Sequence, residues 1–480
     1  MSITGAMNAA ISGLRAASLG TEIVSNNISN ALTPSYGTRS MDLSALNFGA
    51  TGGVRIDGIS RQVNESVIAD LRSADAAQQN SQTAVDFFLQ LEDAIGIAGD
   101  ENGLSGRLAS FEESLIAAAS RPDLTERLSD TVADAGRLVD GIANAAQGIQ
   151  DMRTSADTKI AQDVATLNTA LEQVEQLNIQ ITANLSRGGS SPALLDQRQS
   201  VLDTIGAIVP INAVPRDNGA VAIYTDGGAV LLDITAATIG FDQQNVVTEF
   251  QTLEAGTLSG LTMNGQDIRT SALAGGSLGG NFEVRDTYGV AAQEQLDAFA
   301  RDLVERFADP AVDSTLSTGD PGLFTDAGAA FDSADEVGLS RRLALNFAVD
   351  PEAGGEIWRI RDGLGATSTG LVGDSTLLNS LQSALETSRI PASGDFGSGA
   401  LTTADLLSSF SGSLASTRSN AEQDLTFTSA RFTELTQLSL SEGVDSDKEL
   451  QNLLILEQAY AANARVIQAA DEMIETLTRL

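Results

Sequence analysis

The sequence contains no histidine and no cysteine, and Lys159 and Lys448 are its only lysines. Without imidazole or thiol there is no Ser–His or Cys–His nucleophile, no imidazole or thiolate metal site, and no disulfide. Catalysis would have to rest on carboxylates, arginine, tyrosine or those two lysines, so an enzyme is not expected. Positive charge is scarce as well. Against 64 acidic residues stand 28 basic ones, a net charge of -36, which repels phosphate backbones and anionic lipid heads. Neither nucleic acid nor a membrane is expected as a partner. No run of about 18 apolar residues occurs, so no transmembrane helix is expected. Met1 to Leu14 has no basic n-region and no clear cleavage site. A cleaved secretory signal is therefore not expected, which fits cytoplasmic residence or export that leaves the N-terminus intact. Aromatic residues are only 4% of the chain and charged ones 19%, below the roughly 25% of ordinary domains. Thin cores of Ala, Leu, Ile and Val follow, of the kind found in elongated helical assemblies.

Helical periodicity, by contrast, is abundant. Ile3, Met7, Ala10, Leu14, Ala17, Thr21, Val24, Ile28 and Ala31 alternate in steps of four and three, which places one stripe on one helix face. Pro34 is expected to stop that helix. Leu453, Leu456, Tyr460, Asn463, Ile467, Ala470, Ile474 and Leu477 repeat the pattern at the other end, with Ala459, Val466, Met473 and Leu480 as a second stripe. Asn463 interrupts the seam, either as a register-setting residue or as a residue tolerated at a wet edge. Neither helix buries its face alone, so the two ends are expected to pack together or into a larger assembly.

Between the ends, Val63 to Ile95 marks a helix over about Gln62 to Ile97, and a shorter one spans about Leu104 to Ala119. Pro122 and Asp123 are expected to open a very long helix whose periodic positions run from Leu124 to Leu185. After a short helix over Ala193 to Ile208 the period changes. Ala220–Tyr224 and Ala229–Leu232 around Thr225-Asp-Gly-Gly228 read as a β-hairpin, with short extended pieces continuing to Phe282–Val284. Helical spacing resumes at Leu296 and again from about Thr402, and Leu343–Val349 with Glu356–Arg361 are read as a strand pair. The expected fold is mainly α with an inserted β subdomain (α+β). It combines paired N- and C-terminal coiled-coil helices, a long antiparallel bundle and an outer β-containing domain. Residues 1–61 with 440–480 are read as the terminal core, 62–208 with 286–439 as the bundle including a strand pair within 341–361, and 209–285 as the β-rich insertion.

Candidate chemical motifs are weak. Gly275–Gly280 lacks the Lys and Ser/Thr of a phosphate loop and is read as a flexible re-entry before a strand-like segment. Asp100-Glu101 and Asp350-Pro-Glu352 lack calcium-loop spacing and are read as solvated turns. Asp123 and Glu126 are read as acids of a helix's first turn. No catalytic, cofactor or metal residue is assigned.

The segment from Ala10 to Tyr36 resembles the N-terminal signature of the flagellar rod, hook and hook-associated axial proteins, a helix with Ser-Asn-Asn-Ile-Ala-Asn followed by Asn-Thr-Pro-Gly-Tyr. Ser25, Asn26, Asn27, Ile28, Asn30, Thr33, Pro34 and Tyr36 match. Ser29 stands where Ala is usual, Leu32 replaces Asn, and Ser35 replaces Gly. The helical region from Val63 to Leu185, Leu194-Leu-Asp-Gln-Arg198, Gly276–Gly280 and the ending Glu449–Leu480 resemble the hook-associated branch, whereas rod and hook members are mostly β beyond their termini. The resemblance implies a structural subunit at the hook–filament junction, outside the cell, delivered by type III export and needing no cofactor. It implies that Ile3, Met7, Leu14, Val24 and Ile28, with the C-terminal seam, line a tubular core. Implied partners are further copies in a ring, the hook protein, the next hook-associated protein, and a cytoplasmic export chaperone at the C-terminal helix. A hook or rod protein is the rival. A carboxylate-dependent hydrolase on an axial scaffold would need two acids about 5–10 Å apart across a cleft, and no such pair is evident.

Overall fold

A computed structural model describes residues 3–33, 35–46, 52–97 and 99–479; Pro34 and Leu480 lie outside them. Helix α1 (Ile3–Ser29) leads into an antiparallel hairpin, β1 (Thr38–Ala45) with β2 (Val54–Gln62). The helix expected from Gln62 starts later, as α2 (Glu65–Ile95), because Gln62 pairs with Thr38 in the hairpin. Asn64 caps α2, its Oδ1 accepting the Ser66 and Val67 amides at 3.1 and 3.3 Å. Next come α3 (Leu104–Ser120) and α4 (Thr125–Ser186), a single helix of 62 residues. At 1.5 Å per residue it spans about 90 Å. Pro122 does not open it. Pro122 and Asp123 form the preceding turn, where the Arg121 guanidinium holds the Asp123 carboxylate at 3.0 Å, leaving Glu126 alone in the first turn. Pro192 does open α5 (Pro192–Ile208).

The insertion has two small antiparallel sheets. Strands β3 (Ile211–Pro215), β4 (Val221–Thr225) and β5 (Val230–Leu232) form one, which contains the expected hairpin. Strands β6 (Ile239–Gly240), β7 (Leu261–Met263) and β8 (Gln266–Ile268) form the other. The glycine run is helical and is not followed by a strand. It forms α6 (Gly276–Glu283), and its missing side chains permit close packing. A Cβ on Gly276, at φ +62°, would lie 2.2 Å from the Ile208 carbonyl oxygen, and one on Gly280 would lie 3.0 Å from Thr83 Cβ. A wide turn over Val284–Tyr288 joins α6 to α7 (Gly289–Phe307).

Strand β9 (Phe324–Asp326) follows, then the short α8 (Leu339–Arg342), β10 (Leu343–Leu345) and α9 (Arg359–Asp362). The strand pair expected within 341–361 is absent. β10 pairs instead with β9, and the second segment is helical. The turn over Asp350–Gly355 does form, closed by the Gly355 amide on the Asp350 carbonyl at 2.7 Å. The chain ends with α10 (Thr376–Glu386), α11 (Thr403–Ser441), which lies along α2, and α12 (Ser446–Arg479), which lies along α1.

Two buried apolar clusters hold this rod. One gathers Phe87, Phe111, Leu138, Phe299, Phe307, Leu378 and Leu406; the other gathers Leu167, Val174, Ile205, Ile223 and Leu231. Helix α4 serves both, with Ala156 in the first and Ile160 in the second. Near that crossover Arg285 is fully buried between the rings of Phe241 and Phe282, and its Nη1 donates to Asp157 at 2.6 Å. Arg153, also buried, donates to the carbonyls of Arg285, Thr248 and Gln251.

Candidate functional site: the terminal module and its joint

Small residues set how α1 meets α12. A Cβ on Gly13 would fall 2.6 Å from Asn463 Nδ2, and one on Gly20 would fall 2.8 Å from a Leu456 methyl. Seven residues forward on one helix match seven backward on the other, so the pair is antiparallel. Asn463 thus sits over Gly13, and its Nδ2 donates to the Ala459 carbonyl of its own helix at 2.9 Å. The hairpin covers another face of α1, where Ser12 Oγ accepts the Val54 amide at 3.1 Å.

Of the expected C-terminal seam, Leu453, Leu456, Asn463 and Ile467 are half-buried and Ala470 is buried, whereas Tyr460, Ile474 and Leu477 are exposed. Of the expected N-terminal seam, Ala10, Ala17 and Val24 are buried, while Ile3, Met7, Leu14 and Ile28 are half-buried. Leu14 is one residue, or about 100°, round the helix from the Gly13–Gly20 line that meets α12. Along α12, Ile455, Val466 and Met473 form a further apolar stripe, 44–64% exposed.

The signature motif forms the turn out of α1. Asn27 is completely buried and uses both ends of its amide. Its Nδ2 donates to the Arg39 carbonyl at 2.9 Å, while its Oδ1 accepts the Tyr36 hydroxyl at 2.8 Å and the Arg39 amide at 3.0 Å. One side chain therefore ties the helix end to the start of β1. The Ser25 carbonyl accepts the Ser29 hydroxyl at 2.8 Å, and the Asn26 carbonyl accepts Asn30 Nδ2 at 2.9 Å. Thr33 donates its hydroxyl to Asn30 Oδ1, and the Tyr36 amide donates to the Thr33 carbonyl. Ser35, at the position where the family usually has glycine, has φ +63°, the left-handed region that costs an L-residue about 1 kcal/mol. Its hydroxyl is anchored on Asp203 Oδ2 at 2.8 Å.

Helix α5 is the seat on which this turn rests. Asp196 accepts from the Gly37 amide at 2.9 Å, Arg39 Nη2 at 3.0 Å and Arg61 Nε at 2.6 Å. Asp203 receives Ser35 from one side and Arg72 Nε, at 2.9 Å, from the other. Two residues beyond Asp196, Arg198 turns the opposite way and bonds Asn178 on α4 and the Gly219 carbonyl. Burial pushes the Tyr36 phenol above its ordinary range. Arg39, lying 4.9 Å over the ring, opposes this, while Asp196 and Glu449 reinforce it. Sequence reasoning missed Arg39, Arg61 and Asp203. The available signal was Leu194–Arg198, whose Asp196 and Arg198 are the two-sided contact.

Among the described residues no group of three or more acids is placed to hold a metal ion, and no helix is long and apolar enough to cross a membrane. The arrangement is built for packing and hydrogen bonding.

Comparison with known proteins agrees with that reading. Residues 88–323 match the model of the flagellar hook-associated protein FlgK helical domain, and residues 440–480 match the flagellar basal body rod FlgEFG protein C-terminal model. Flagellar hook-associated protein 1 of Escherichia coli K12 is 25% identical over 548 residues, covering 99% of both chains. The Salmonella typhimurium protein of the same name is 26% identical over 320 residues, 61% of this chain, so the match spans 55% of that relative's length. The Bacillus subtilis one is 21% identical over 94% of this chain and 93% of its own. The solved flagellar hook junction protein FlgK from Burkholderia pseudomallei is 20% identical, covers 54% of this chain and 46% of that one, and has a TM-score of 0.45. With the helical domain and the C-terminal segment both matched, and the axial signature built around Asn27, the similarities of this chain converge on flagellar hook-associated protein 1.

Proposed function

We propose that this chain is a structural subunit of the hook–filament junction of a bacterial flagellum, and not an enzyme. The observation that carries this reading is a terminal helix pair whose flanks stay apolar and partly open: Leu14 and Ile28 on α1, Val466 and Met473 on α12. Such faces find their burial against neighbouring copies. The terminal pairs then line the inner core of a ring, with the rod and the two small sheets outward. The ring joins the hook protein below to the next hook-associated protein above. Before assembly, a cytoplasmic chaperone covers α12, and the chain leaves by flagellar type III export.

The test replaces Leu14 and Ile28 with Asp. Two charges in a stripe buried by assembly cost several kcal/mol. Filaments should detach, flagellin should appear in the medium, and the melt of the rod should barely move. Replacing Ile223 and Leu231, both fully buried, with Asp should instead lower the melting temperature. Wild-type swimming by the Leu14/Ile28 double variant would overturn the assembly role of this flank.

A further inference from the structure

The terminal module is attached to the rod outside either apolar cluster. Among the described residues, neither buried apolar cluster includes any residue of α1, β1, β2 or α12. Two short strands of chain make the covalent connection, Val63–Asn64 and Glu442–Asp445, and they are tied to each other by Asn64 Nδ2 on Glu442 Oε2 at 2.7 Å. The remaining attachment to α5 is polar: Gly37, Arg39 and Arg61 on Asp196, Arg61 on Gln199, and Ser35 on Asp203. A cleft opens on each side of this seat. One, of about 520 Å³, lies between β2 and the ends of α4 and α5 and is lined by Ile59, Leu185 and Leu195. The other, of about 270 Å³, lies between the α1 turn, α2 and α11 and is lined by Leu32, Val67 and Leu440.

We propose that the Asp196–Asp203 seat is a breakable latch that sets the angle between the terminal module and the rod, with Val63–Asn64 and Glu442–Asp445 as its hinge. Three features support it. Polar bonds over partly open clefts exchange for water far more readily than a packed apolar interface does. The clefts leave room for the module to tilt to either side without first unpacking a core. Ser35 is held in a strained conformation by the very bond to Asp203 that the latch contains, so release of that bond also releases strain. The inference concerns the isolated chain and does not depend on where the subunit is assembled.

Absence of cysteine makes the test direct, since introduced cysteines are the only labelling sites. Spin labels at Ser18→Cys on α1 and Thr169→Cys on α4, both exposed, report the angle as a distance in the full chain. A second pair, Thr169→Cys with Gln423→Cys on α11, reports whether the rod itself stays folded. The latched chain should give one narrow distance, with an alternative arrangement below about a tenth of the population. Asp196→Ala with Asp203→Ala should bring a second distance to at least about a third of the population while the rod pair is unmoved. Should the rod pair move as well, the milder Asp196→Asn, which keeps an acceptor but not the charge, is read in its place. A single unchanged distance in a variant whose rod pair is intact overturns the latch.

Discussion

Asn27 shows how one side chain converts a sequence signature into geometry. Its amide supplies partners for three groups, the Tyr36 hydroxyl and the amide and carbonyl of Arg39, in a place that water does not reach. Asn27→Leu matches its size but leaves those groups unsatisfied, at about 1–3 kcal/mol for a buried polar group left without a partner. The Arg39 amide should exchange hydrogen much faster in that variant, measured by hydrogen–deuterium exchange. Unaltered protection there would remove Asn27 from its role as a tie. Tyr288 gives a second expectation. Its phenol is pushed up to about 12, first by burial and then by Glu283, whose carboxylate lies 3.3 Å away. A raised phenol pKa means that the folded chain holds its proton more tightly than the unfolded chain does. Its contribution to stability is therefore complete below pH 10 and is lost as pH climbs from 10 towards 12. Tyr288→Phe should lack the last step of the phenolate absorbance titration, and its melting temperature should fall less steeply over that window.

At the scale of elements, α4 and the terminal pair depend on different physics. Arg285 reaches α4 through Asp157, both without solvent exposure. Asp157→Ala leaves a buried guanidinium with Asp286 as its remaining carboxylate partner and should cost about 3 kcal/mol, read from urea unfolding. The α1–α12 pair depends instead on the absence of side chains. Gly20→Ala should be tolerated, since the Leu456 methyls it meets are the ends of a flexible side chain. Gly20→Leu should force the helices apart and bring α12 amides close to the exchange rates of free peptide. These contrasts also explain what the sequence disclosed. The stripe from Leu128 to Ile181 is large, apolar and regular, so α4 was legible almost to its last turn. Gly13 and Gly20, where α12 comes closest, were not legible because apolar periodicity favours large side chains such as Leu14 and Ile28, while close approach selects glycine. The β1–β2 hairpin escaped notice because Arg39, Asp42, Arg55, Asp57 and Arg61 leave it no alternating apolar face. Strands β9 and β10 have three residues each and pair across sixteen others, beyond the reach of local pattern. At the joint, Asp196 was legible only as part of a family motif. Its partners come from 135 to 159 positions away in sequence.

Taken whole, the molecule carries its large apolar clusters in the rod and few buried side chains in the terminal module. Heating should therefore produce two transitions by calorimetry, with Asn27→Leu lowering the first and Asp157→Ala the second. A single transition that both variants shift equally would mean that rod and termini melt as one cooperative unit. The long α4 also has a mechanical consequence. It runs unbroken from the joint, where Leu185 borders a cleft, to its first turn at the remote end, so bending is concentrated at the joint. Over about 90 Å of stiff helix, a rotation of roughly 5° at the joint displaces the far tip by about 8 Å. The rod is a lever arm whose fulcrum is a few hydrogen bonds. Small changes in the angle of the terminal helices thus become displacements of the far tip comparable to the width of a helix.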